Sequence, residues 1–203
     1  MKLNLLAASA LVASAALAGI AQAEEGKAPA GWYVSGGVGV NFLDDVDVTG
    51  GSFEYDSGYT IAGALGYDTG DITSYGKFRV EAEIAYTEND NDSVTVGAAK
   101  LNVGGQLEQT TVLLNAYIDF VPGGTLRPYL GLGLGFVDGN QSINVAGLSA
   151  SADGTEFAYR GAAGLTYHMD QNWALDFGYR YTGWESGGDA HNHSLLTSIR
   201  YSF

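Results

Sequence analysis

Apolar side chains recur at every second position along eight stretches of the chain, with small or polar residues between them. In the first stretch Trp32, Val34, Gly36, Val38, Val40 and Phe42 share one side, and Tyr33, Ser35, Gly37, Gly39 and Asn41 the other. The second sets Tyr59, Ile61, Gly63, Leu65 and Tyr67 together; the third sets Phe78, Val80, Ala82, Ile84 and Tyr86 opposite Arg79, Glu81 and Glu83. The fourth and fifth carry Val112, Leu114, Ala116, Ile118, Phe120 and Leu126, Pro128, Leu130, Leu132, Leu134, Phe136. The sixth carries Phe157, Tyr159, Gly161, Ala163, Leu165, Tyr167; the seventh Trp173, Leu175, Phe177, Tyr179, Tyr181; the last Leu195, Thr197, Ile199, Tyr201, Phe203. A period of two in aromatic and β-branched residues, punctuated by Gly, Asp, Asn and Ser, predicts eight antiparallel strands. None of the eight apolar sets contains a charge.

The connections alternate in length. Residues 43–58, 87–111, 137–156 and 182–194 read as long, polar, acidic loops, and 68–77, 121–125 and 168–172 as shorter turns. Strands of about ten residues joined alternately by long and short links carry the pattern of an outer-membrane barrel. Alternation also fits a soluble barrel with its apolar face inward. Three features favour a lipid-facing apolar side. Aromatics close it at both strand ends, with Trp32, Tyr67, Phe78, Phe120, Tyr167, Trp173 and Phe203 at one level and Phe42, Tyr59, Tyr86, Phe136, Phe157 and Tyr181 at the other. From Trp32 to Phe42, strands rising ~3.3 Å per residue and tilted by ~40° span roughly 25 Å, the height of such a band. The polar side is almost free of lysine, unlike a water-facing surface.

Interior chemistry follows from the same alternation. Arg79, Arg127, Arg160, Arg180 and Arg200 all fall on the polar side, as do Glu81, Glu83, Asp119 and Asp176. Charges withdrawn from water must pair, and the planar fork of arginine suits carboxylates. The expected pairs are Arg79 and Arg127 flanking Asp119, Asp176 with Arg200 on neighbouring strands, and Glu81 and Glu83 reaching toward Arg160 or Arg180. Inward glycines (Gly37, Gly39, Gly131, Gly133, Gly135, Gly164, Gly178) leave room for large side chains. Such a network is either a polar filling or a narrow ion gate; eight strands exclude a wide pore.

Composition refines the setting. The 203 residues hold 30 glycines and no cysteine, excluding a disulfide scaffold, a thiol nucleophile and a cysteine-ligated metal. A formal charge of −14 argues against nucleic-acid binding, which needs a basic face. Lys2, the apolar run 5–18 and Ala21-Gln22-Ala23 predict a cleaved signal peptide over residues 1–23. The barrel domain is then 24–203, 180 residues of charge −15. No later stretch is apolar enough for a spanning helix. The long loops hold 14 of the 23 acids and one base, Lys100. They read as solvated, self-repelling loops, or as a surface bridged to lipopolysaccharide by divalent cations. Residues 88–92 (ENDND) lack the glycine and distal glutamate of a calcium loop. Gly131-Leu132-Gly133-Leu134-Gly135 has a strand period and is no phosphate loop. The segment 89–109, with Val94, Val96, Leu101 and Val103, is expected to extend the third and fourth strands as a hairpin whose edge binds partners by strand addition.

Several stretches together resemble a known family: GWYVSGGVGVNF (31–42), KFRVEAEIAYTEN (77–89), NAYIDF (115–120), RPYLGLGLGF (127–136), ALDFGYRYTGW (174–184) and HSLLTSIRYSF (193–203). They resemble the small outer-membrane barrels related to the OmpA transmembrane domain, particularly the opacity-protein and surface-antigen group. The resemblance implies an all-β, eight-stranded antiparallel up-and-down transmembrane barrel in the cell outer membrane. It also implies contact with membrane lipid and lipopolysaccharide, and insertion by the outer-membrane assembly machinery. Ile199, Tyr201 and the terminal Phe203 match the assembly signal of that class, and the peptidoglycan-binding domain of full-length OmpA-type proteins is not expected. No cofactor is implied.

The expected role is structural or surface-interacting, adhesin-like, with an extracellular partner met by the loops; a narrow channel is the alternative. A lipid-A-modifying enzyme is a third reading, resting on His191, His193, Ser194 and Glu185. His193 and Ser194 are adjacent, so they point to opposite sides of a strand, which breaks a nucleophile–base pair. His168 lies at the other end of the barrel, beside Asp170.

Overall fold

The structure is a computed structural model and describes residues 30–43, 46–48, 51–55, 57–73, 76–96, 99–102, 104–120, 125–145, 148–185 and 189–203. The expected signal peptide lies outside these residues.

Eight long strands form the wall: β1 (Gly31–Leu43), β4 (Gly58–Thr73), β5 (Gly76–Val96), β7 (Gly104–Phe120), β8 (Leu126–Val145), β9 (Leu148–His168), β10 (Trp173–Glu185) and β11 (Asp189–Ser202). Three short strands, β2 (Val46–Val48), β3 (Gly51–Tyr55) and β6 (Ala99–Asn102), sit among the outer connections. Each long strand pairs antiparallel with its neighbours in the chain, and β1 pairs with β11 from Tyr33↔Ser202 to Leu43↔Asn192, closing the ring. Closure leaves the wall without a free edge, so its backbone groups are paired within the wall, as a lipid interior demands.

The exposure pattern decides which way the two faces point. Leu132 is 74% exposed, Val38 62% and Leu114 61%, while Arg79 is 2% exposed and Asp119 fully buried. A soluble barrel would invert these values. A barrel whose aliphatic side chains stand outward and whose charges are enclosed is stable where hydrocarbon surrounds it. The aromatic belts hold as expected, with Trp32, Tyr67, Phe78, Tyr167 and Trp173 exposed at one end and Phe42, Tyr59, Phe136 and Phe157 at the other. Cross-strand ring contacts tie them together, as in Trp32–Tyr67 at 5.3 Å and Phe136–Phe157 at 6.1 Å. The belts delimit the membrane crossing, for example residues 157–167 of β9.

Several expected loops are strand. β8 and β9 remain paired from Leu126↔Tyr167 to Val145↔Leu148, far past the Phe136–Phe157 belt. Above the membrane both sheet faces meet water, so pairing continues without apolar alternation, the signal that sequence reading relies on. The tip of β5 pairs with β3 on one side and β6 on the other, so the expected hairpin in 89–109 is present and is widened by β2 and β3. The expected long loop 182–194 is instead a tight hairpin, since β10 runs to Glu185 and β11 starts at Asp189. Thr182 and Trp184 are buried in the lumen there, which holds the strand in register. Likewise the expected turn 68–77 is mostly strand: β4 continues to Thr73 through a register shift at Asp68/Asp71, where Gly70 takes φ 75° and its N–H donates to Asp68 Oδ1 at 3.0 Å.

Candidate functional site

The enclosed polar face builds a column of charges along the barrel axis. Positions 77, 79, 81 and 83 of β5 all point inward, and their cross-strand partners on β7 include Asp119, Tyr117 and Asn115. At the periplasmic end Lys77 forms an ion pair with Asp68 and lies 3.9 Å from Asp119 Oδ2. Arg79 donates from Nε and Nη2 to the two Asp119 oxygens at 2.7 and 2.9 Å, and from Nη1 to Glu81 Oε1 at 3.0 Å. The Tyr33 hydroxyl donates to the same Glu81 oxygen at 2.6 Å. At mid-height Glu83 is bridged by Arg160 Nη1 at 2.5 Å and Arg180 Nη1 at 2.9 Å, and Arg160 Nε donates to Thr182 Oγ1 at 2.9 Å. Asp176 accepts from the Thr166 hydroxyl and from Arg200 Nη2 at 3.4 Å.

The expected partners of Glu83, the Asp176–Arg200 pair and the Arg79–Asp119 fork are thus all observed. Two expectations change. Glu81 turns to Arg79 and Tyr33 rather than to Arg160 or Arg180, because Arg79 is its same-face neighbour two residues back while Glu83 occupies both other arginines. A further cation beside Asp119 is Lys77, and Arg127, buried on β8, is in register with Thr166 of β9. Charges in the lumen therefore pair locally, as Arg79 does with Glu81 and Asp119, and across the axis, as Glu83 of β5 does with Arg160 of β9 and Arg180 of β10.

Sequence reasoning missed three elements of the interior. Lys77 and Asp68 fall within the expected turn 68–77, although Lys77 has the same parity as Arg79. Tyr33, Tyr117 and Tyr129 form a buried aromatic cage about Arg79, whose guanidinium carbon lies 4.7 Å from the Tyr117 ring centroid and 5.5 Å from that of Tyr129. Each of these tyrosines faces a glycine across the ladder: Tyr33↔Gly66, Tyr117↔Gly131 and Tyr129↔Gly164. A Cβ at Gly131 would stand 2.3 Å from Tyr117 Cδ1, and one at Gly66 2.2 Å from Tyr33 Cζ. Of the expected inward glycines, Gly131, Gly164 and Gly178 make room for tyrosines, and Gly133 for Asn115. The signal was available as inward Tyr opposite inward Gly, but it needs the register to be known. Finally, Leu43, Leu113, Val137, Ala158, Trp184 and Ala190 form an apolar cluster inside the outer end of the lumen.

The column is close to neutral. Lys77 and five arginines face Asp68, Glu81, Glu83, Asp119 and Asp176, so its cations and anions nearly cancel although the chain carries −14. Two water-sized cavities flank the Glu83 bridge. One, about 20 Å³, is lined by Arg79, Glu81 and Asp176; the other, about 10 Å³, by Thr87, Thr111 and Trp184, and both touch Arg180. On the outer surface, at the outer belt, the Tyr179 hydroxyl lies 2.6 Å from His193 Nδ1 and that of Tyr181 2.8 Å from His191 Nδ1. Ser194 is buried on the opposite side, bonded to Asn192 Oδ1 at 3.2 Å.

A closed barrel with lipid-facing aliphatics, two aromatic belts and a paired ionic interior defines an integral outer-membrane protein. The chain belongs to the outer membrane protein beta-barrel domain family, which it matches over residues 5–203. It is similar to uncharacterized proteins of Brucella abortus and Brucella suis, 26% identical over 222 aligned positions that cover 81% of this chain and 71% of theirs. Among solved structures it shares its fold with Neisserial surface protein A (TM-score 0.58, 20% identity, 85% of this chain and 97% of that one). OprG of Pseudomonas aeruginosa is similar as well (TM-score 0.58, 14% identity, 86% and 96%), as is the attachment invasion locus protein Ail of Yersinia pestis (TM-score 0.51, 16%, 86% and 100%). The protein is thus an outer-membrane barrel in contact with membrane lipid and lipopolysaccharide.

Proposed function

We propose that the protein is a non-catalytic surface-interaction barrel that presents its raised outer strands to an extracellular partner. The carrying observation is the strand pairing beyond the outer belt. From Phe136↔Phe157 to Val145↔Leu148 nine more residues pair on each strand, roughly 30 Å of sheet at ~3.3 Å per residue. With 14 acids and one lysine in the outer connections, the partner is basic or neutral. Ail has been crystallised with sucrose octasulfate, a heparin analogue; the acidic tips of this chain disfavour such a polyanion. A catalytic role is disfavoured by His193 and Ser194 on opposite faces, with Tyr179 engaging the histidine.

Replacing residues 140–153 by a tight turn leaves the belts and lumen intact. Expressing cells should then keep a heat-modifiable barrel but lose adherence to surfaces coated with basic protein, and wild-type cells should not adhere to sulfated glycan. Undiminished adherence of the shortened protein would refute the reading.

The two cavities meeting at Arg180 support a second reading, a narrow conductance closed by the Glu83 bridge. Glu83→Gln should then raise single-channel conductance in planar bilayers; silence of both proteins would remove that alternative. Ile199, Tyr201 and Phe203 form an outward ladder, with the Tyr201 ring tilted against Trp173 at 4.7 Å between centroids, and we assign it to recognition by the assembly machinery. Phe203→Ala should reduce the amount of barrel inserted in the outer membrane.

A further inference from the structure

The periplasmic mouth contains a cluster of buried donors that the ionic column does not complete. His168, Ala174 and Arg200 lie in one register line across β9, β10 and β11, through Ala174↔His168 and Ala174↔Arg200. Ala174 is 3% exposed and contributes only a methyl, so the flanking side chains, about 10 Å apart at their backbones, cover it from the two sides of a slot. Arg127 enters from β8, opposite Thr166 and two residues from His168 along β9.

Arg200 is 2% exposed, yet its Nη1 makes no hydrogen bond among the described residues, and its Nη2 makes only long ones, 3.4 Å to Asp176 and 3.5 Å to Thr166. His168 Nε2 is likewise buried and unbonded. The acid nearest to His168 in the chain is engaged elsewhere: Asp170 Oδ1 accepts the backbone N–H groups of Asn172 and Trp173, both at 2.8 Å. Asp119 is held by Arg79 and Asp68 by Lys77. Leaving a buried guanidinium N–H unpaired is costly, and the Arg200 ion pair with Asp176 is long at 3.4 Å.

We propose that this slot binds a small tetrahedral oxyanion of the sulfate or phosphate class, taken up from the periplasm between Arg200, Arg127 and His168. The guanidinium fork matches two oxygens of such an ion, and the imidazole Nε2–H supplies a third donor. This site lies at the opposite end of the barrel from the raised outer strands and does not rest on their proposed role.

His168 reports on occupancy because it lies one residue past the Tyr167 belt. Burial, with the charges of Arg127, Arg200 and Lys77, pushes its imidazole down to about 4, against a small opposing effect of Asp119. A bound oxyanion favours the imidazolium and raises that midpoint.

The test is NMR titration of His168 in the detergent-folded barrel, in sodium sulfate against sodium chloride at equal ionic strength, repeated with phosphate. The midpoint should rise by about one pH unit in sulfate, and Arg200→Gln should abolish the rise. If Arg200→Gln loses heat-modifiable folding, Ala174→Val, which narrows the slot without changing charge, should remove the response instead. Identical midpoints in both salts, or a sulfate response that survives the slot variant, would overturn the proposal.

Discussion

Removing the carboxylate of Asp119 tests the central energetic claim, that lumen charges stabilise the barrel as pairs. Asp119 is fully buried and accepts both arms of the Arg79 fork at 2.7 and 2.9 Å, with Lys77 3.9 Å away. In Asp119→Ala, Arg79 retains Glu81 at 3.0 Å and the Tyr117 ring, so it is not wholly stranded. Breaking a buried pair by deleting one partner costs about 3–5 kcal/mol, and the surviving contacts place this case near the low end, about 3 kcal/mol. That is on the order of a hundredfold in the folded-to-unfolded ratio. Urea unfolding in phosphocholine micelles, followed by tryptophan emission, reads the loss. The decisive comparison is a double-mutant cycle with Arg79→Met. Once the arginine is gone, deleting Asp119 should cost much less, giving a coupling of 1 kcal/mol or more, by order of magnitude. Strict additivity, or an Asp119→Ala midpoint equal to wild type, would refute the pairing argument.

Three further outcomes are expected. Gly131→Ala sets a methyl 2.3 Å from the Tyr117 ring and should cost about 1–3 kcal/mol by the same urea assay, with Tyr117→Leu restoring most of it. Trp184→Ala empties the apolar cluster at the outer end of the lumen and should cost about 3–5 kcal/mol, with no loss if that cluster is unimportant. The imidazole of His168 is pushed down to about 4 when folded, so the unfolded chain binds its proton first as pH falls. Stability from this residue is complete above about 6.5 and declines as pH drops toward 4. His168→Gln should flatten that part of the stability profile, and an unchanged slope would contradict it.

The period-two pattern was enough to count the wall strands, assign their faces and place the aromatic belts, because one face had to meet hydrocarbon over a fixed height. It was also enough to enclose Arg79, Glu83, Asp119 and their partners, since parity alone puts a strand residue in or out. Residues 137–156 read as a loop because sheet in water on both sides needs no alternation, and 182–194 because it is polar and acidic, although Thr182 and Trp184 turn inward. Which charges meet was settled only by the closed ring. Register places Lys77 beside Asp119, each tyrosine over its glycine, and His168 and Arg200 on either side of Ala174, and closure brings Arg160 and Arg180 across to Glu83. Local sequence carries the alternation of faces, whereas pairing inside a barrel depends on which rung of one strand stands against which rung of the next, a relation that exists only after closure.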